Sequence, residues 1–112
     1  MALNRHFAEA NQVQLPVPNG AESGDPVVIG EGDLHGVLLV DEGDSEEGFA
    51  TVQLDGAFRF ELDGPIDAGD AVTGAAVGAT EVNNGDDSTT FGIALQSLEN
   101  GETAEIPIRL SN

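Results

Sequence analysis

The sequence has no cysteine, lysine, tryptophan or tyrosine, and only three basic residues stand against 21 acidic ones. Without cysteine there is no disulfide, no thiolate metal ligand and no cysteine nucleophile. Without lysine there is no P-loop phosphate site, no Schiff-base residue and no lipoyl-type or biotinyl-type carrier position. Without tryptophan or tyrosine the usual stacking platforms for a sugar ring are missing, so paired carboxylates for glycoside hydrolysis have no setting. A formal charge of −18 repels nucleic acid and anionic membrane alike. No apolar run approaches a membrane span, and the first twenty positions lack the apolar segment of a secretory signal; synthesis in a cytoplasm is the expectation.

What is present points to strands. The 112 residues fit one domain, which buries roughly 65% of the surface its unfolded chain exposes. Ala, Val, Ile and Leu supply most of the hydrophobic fraction, with five Phe as the only aromatics, so the core is built from small and β-branched side chains. Gly and Asp recur so often ("SGDP", "EGD", "DAGD", "NNGDD") that no apolar 3.6-residue pattern lasts three turns. The expectation is an all-β fold, a small β-barrel or β-sandwich-like domain over residues 13–112, preceded by an N-terminal arm over residues 1–12. Val13, Leu15 and Val17 alternate with polar or proline positions up to a Pro18-Asn19-Gly20 turn. From Ala50 to Leu62 the apolar residues Ala50, Val52, Leu54, Phe58, Phe60 and Leu62 share one parity. A two-residue hairpin at Asp55-Gly56 would throw both phenylalanines onto the face opposite Val52 and Leu54, so one continuous strand, kinked or bulged at Gly56 and facing a single core, is expected.

The chain also repeats itself. "SGDPVVIG", "HGVLLV" and "EEGFATVQL" are answered by "AGDAVTG", "FGIALQ" and "ENGETAEIPIRL", an internal Gly-Asp-x-Val repeat. The second copy is longer, with "GATEVNNGDDSTT" read as a loop or hairpin tip between its two strands. Aligned on Gly36 and Gly92, His35 takes the place of Phe91, which makes it a structural residue at a strand start and not a titrating base.

No candidate for chemistry survives inspection. "GEGDLHG" lacks the third glycine of a dinucleotide loop, where His35 stands, and no helix follows it. "DEGDSEE" puts five carboxylates in seven residues and "NNGDDS" adds Asp86 and Asp87, yet neither fits a calcium-loop spacing, and both read as solvated acidic loops. The serines occupy no nucleophile elbow. No catalytic, cofactor or metal residue is assigned, and the chain is read as a non-enzyme. The scarce cations are the candidate contacts with a partner: Arg5 and His6 in the arm, beside the apolar anchors Leu3 and Phe7, together with Arg59 and Arg109. The arm is expected to order against a neighbouring subunit or another partner.

In this order and spacing, the two Gly-Asp-x-Val units, the "FRF" segment and the closing "AEIPIRL" resemble the small capsid cement, or head decoration, proteins of tailed phages and related viruses. The resemblance spans Val13 to Leu110. It implies a β-barrel or β-sandwich-like protein on the outside of the virion, commonly a homotrimer, that binds the major capsid protein and reinforces contacts between its subunits, with no catalytic residues. The acidic charge and missing lysine depart from the family and suit a virus of a halophilic host, whose salt screens self-repulsion. The alternative is an acidic, non-catalytic β binding module, calcium-dependent if its loops chelate.

Overall fold

The structure, a computed structural model, describes residues 12–111. It is nearly all-β, with two sheets in a barrel- or sandwich-like arrangement, as the Gly/Asp-punctuated apolar runs predict. The strands are β1 (Gln12–Pro16), β2 (Pro26–Ile29), β3 (Leu34–Leu38), β4 (Phe49–Gln53), β5 (Ala57–Asp63), β6 (Ala71–Thr73), β7 (Thr80–Val82), β8 (Thr90–Ala94) and β9 (Thr103–Leu110), with a single turn of helix α1 (Gly74–Val77) after β6. The first sheet has the order β1-β4-β3-β2-β7 and the second β5-β9-β8-β6.

The repeat is deeper than its Gly-Asp-x-Val core. Val13 opposes Val52 in the first sheet as Phe58 opposes Ile108 in the second, and Leu38 opposes Val52 as Ala94 opposes Ile108. Strands β1-β2-β3-β4 and β5-β6-β8-β9 are therefore two copies of one four-stranded unit, each forming its own sheet. The turns match as well. Asp25 N–H donates to Glu22 O and the Asp25 carboxylate accepts from Glu22 N–H; Asp70 makes the same pair with Asp67. Gly24 and Gly69 precede these aspartates at φ +92° and +97°, a conformation that glycine adopts without a Cβ penalty. Each glycine N–H then reaches its own β3-type strand, at Leu38 O (2.8 Å) and Ala94 O (2.7 Å).

Two expectations need correction. Ala50 to Leu62 is not one strand. It breaks between Gln53 and Ala57, where β4 ends in one sheet and β5 begins in the other, so Gly56 (φ +91°) marks the junction of the two repeat units. The apolar parity survives, but Ala50, Val52 and Leu54 join a cluster with Val17, Val27, Ile29 and Leu38, while Phe58, Phe60 and Leu62 join another with Val28, Val37, Phe91, Ile106 and Ile108. Both faces of the first sheet are buried at β2 and β3: Val28 opposes His35 on the face toward the second sheet, and Leu38 opposes Val52 on the other. The extra length of the second copy, expected as a loop or hairpin tip, is only partly loop. After α1, Thr80–Val82 form β7, which leaves its own sheet and pairs parallel with β2, Val27 with Thr80 and Ile29 with Val82, and residues 83–89 then form the loop that leads to β8. Thr73 caps α1 by accepting Ala76 N–H, and Gly78 ends it at positive φ.

Candidate interaction face

The two described arginines converge on the outer face of the second sheet. Along β5 the outward positions are Ala57, Arg59, Glu61 and Asp63, and along β9 they are Thr103, Glu105, Pro107 and Arg109. Arg59 opposes Pro107, and Arg109 lies between Ala57 on one side and Ile93 of β8 on the other. Leu95 N–H donates to Pro107 O at 3.0 Å, which places Leu95 in the Arg59 row; its side chain is 50% exposed. One end of the face is thus cationic and apolar. The other end, Glu61 opposite Glu105 and then Asp63 opposite Thr103, is acidic. Arg59 is steadied by a bond from Nη2 to Glu105 O at 3.3 Å. Beyond the strand ends on this side, Asp55 before β5 is engaged by Gln53 Nε2 (2.7 Å) and Asp70 before β6 by Asp67 N–H (2.9 Å), which leaves Glu61 and Glu105 as the carboxylates closest to the arginines along the strands.

Of the candidate contacts, Arg59 and Arg109 are brought together by antiparallel pairing, whereas Leu3, Arg5, His6 and Phe7 lie outside the described residues, as does the arm's expected ordering. Sequence reasoning missed Leu95, although its alternation with the buried Ala94 marks it as outward.

His35 lies in the core at 5% exposure, edge-on to Phe91 with ring centroids 5.6 Å apart. The residues equivalent in the repeat therefore touch each other. Nδ1 donates to Ser111 O at 3.0 Å, since a carbonyl can only accept, and Nε2 lies 3.2 Å from Thr89 Oγ1. His35 is consequently more than a flat ring: it ties β3 to the C-terminal segment and to the loop before β8. His35→Phe is expected to keep the aromatic contact but lose about 0.5–1.5 kcal/mol with its hydrogen bonds, since Thr89 Oγ1 keeps its own bond to Asp86 O and Ser111 is exposed to water. Denaturant unfolding checks this, and an unchanged midpoint would show that the bonds carry no net stability.

Several carboxylates of the acidic loops bond the chain's own backbone. In "DEGDSEE", Glu42 accepts Gly48 N–H (2.6 Å) and Gly20 N–H (3.0 Å), and these bonds hold its carboxyl below the ordinary range. Asp41 accepts Ser23 N–H at 2.9 Å, the bond that Ser97 Oγ makes to Ala68 N–H in the other copy. Asp86 is likewise lowered, first by the Ser88 hydroxyl (2.6 Å) and then by Ser88 N–H (2.9 Å). Carboxylate oxygens of Glu81, Asp86 and Asp87 lie within 4.8 Å of one another, and Glu81 accepts Asp87 N–H. With folded carboxyls depressed, the unfolded chain binds more protons, so these bonds stabilise above the ordinary carboxylate range and are lost as pH falls through it. A Glu42→Gln variant is expected to show a flatter decline of melting temperature below about pH 5 than the parent; parallel curves for the two proteins would dismiss Glu42 as an acid-labile tie.

No known protein family, curated protein or solved structure matches the chain.

Proposed function

We propose that this chain is a virion structural protein that binds the exterior of an assembled capsid and stabilises contacts between major capsid protein subunits. The observation that supports this reading is the doubled strand-and-turn unit. The Gly-Asp-x-Val order that carries the resemblance to capsid cement proteins runs through the whole described fold, from β1 to β9. A scaffold of this kind suits repetitive lattice sites. Carboxylates of its acidic loops bond its own backbone, each sheet ends in edge strands, and the second sheet keeps an exposed polar face for contact. Ligands that bind only the assembled state stabilise it by mass action, which is how a small protein without chemistry can strengthen a shell.

The test is occupancy and effect. The protein is identified by mass spectrometry of purified virions, then added to capsids lacking it, which are sedimented and challenged by heat or low salt. Retention together with a raised disruption temperature is expected. A protein absent from virions, or bound without any change in capsid stability, would overturn the reading in favour of an acidic binding module of the host cell.

A further inference from the structure

The outer face of the second sheet carries its charge as a gradient along the strands, and that gradient specifies an occupant. Arg59 and Arg109 lie at one end with Ile93, Leu95 and Pro107, and Glu61 and Glu105 at the other. We propose that this face binds a second copy of the same chain, the arginine end of one copy meeting the Glu61–Glu105 end of the next. The argument is one of complementarity. On a molecule of formal charge −18, two copies repel one another over most of their surface. The face that holds both described arginines is where an approach can be matched, and the required carboxylates are on the same face of the partner. A bipolar surface of this kind satisfies itself in an antiparallel pair, and equally in a head-to-tail ring.

Size and salt set the conditions. Four strands about 4.8 Å apart and six residue steps of about 3.4 Å give a face of roughly 15 Å by 20 Å. That is smaller than the ~800 Å² per partner of a standard interface, so the association is reversible and concentration-dependent. Long-range repulsion opposes it at 0.1 M salt, where the screening length is about 10 Å, and is suppressed at 1 M, where the length is about 3 Å. The contact charges, pressed together beside Leu95 and Pro107, are screened less. Self-association therefore strengthens with salt, the reverse of what simple ion pairing predicts.

The proposal is independent of the capsid reading, because it is tested on the purified full chain alone. Sedimentation equilibrium in 1 M NaCl is expected to show an oligomer for the parent and monomer for Arg59→Glu/Arg109→Glu. Glu61→Arg/Glu105→Arg makes the chain less negative, so general repulsion falls, yet it is also expected to be monomeric because both ends are now cationic. Combining all four changes restores opposite ends and should restore the oligomer. Circular dichroism establishes that each variant is folded; any variant that is not is replaced by its Gln counterpart at the same positions. A monomeric parent overturns the proposal, and so does an oligomer that persists in both charge-end variants. If the parent is monomeric but the arginine variant loses retention on capsids, the face belongs to the capsid contact instead.

Discussion

Phe91→Ala is expected to cost about 3–5 kcal/mol, a large share of a total domain stability that lies in the range of about 5–15 kcal/mol. Phe91 is fully buried and meets two rings edge-on, His35 of the first sheet at 5.6 Å and Phe60 of the second at 5.8 Å. It is the aromatic bridge between the two repeat units, and its truncation removes ring contacts on both sides. The contrast is Gln53→Ala, at a half-buried position whose amide bonds the neighbouring Asp55, for which a change within about 0.5 kcal/mol is expected. Urea unfolding monitored by far-ultraviolet circular dichroism measures both. Similar midpoints for the two variants would contradict the division of faces described above.

The parity that makes this contrast possible was readable from "ATVQLDGAFRFEL" alone, because alternation reports which side of a strand is buried. It does not report what lies on that side. A continuous strand and a strand that changes sheets at Gly56 have the same alternation, and only pairing partners distant in sequence separate them. A signal for the sheet change was nevertheless present. Val13 to Gly24 and Phe58 to Gly69 are both eleven residues apart, so "VQLPV" and "FRFEL" stand at equivalent places before their Gly-Asp turns. Extending the repeat backwards by one strand would have put the unit boundary between Leu54 and Ala57. The passage of β7 into the first sheet had no such signal, since Thr80-Glu81-Val82 is too short to declare a partner. At the candidate site, the scarcity of arginine singled out Arg59 and Arg109, but their meeting on one face depends on the β5–β9 register, which composition cannot supply.

Gly92→Ala is expected to produce the second large loss, at or above the ~1–3 kcal/mol typical of overpacking. A Cβ at Gly92 would run into the Arg109 carbonyl oxygen and come within 2.6 Å of Ile108 Cγ2, so strands β8 and β9 must separate at their shared backbone. Gly36, its equivalent in the first unit, would meet the Val52 side chain and lie 3.0 Å from Gln53 O. Both glycines therefore let the central strand of a unit approach its neighbour closely. Side chains yield more readily than backbone, so Gly36→Ala is expected to cost less than Gly92→Ala, though still more than the ~0.4–1 kcal/mol gained when alanine reduces unfolded-state freedom. Gly32→Ala, with nothing within 4 Å of the added methyl, is the control and should be neutral or slightly stabilising. The comparison also bears on self-association. Displacing β9 at Arg109 moves one of the two cations relative to Arg59 and Leu95, so Gly92→Ala should lower the association constant even at temperatures where the domain stays folded, whereas Gly36→Ala, in the other sheet, should not. Equal loss of association in both variants would mean that the outer face of the second sheet is not the contact.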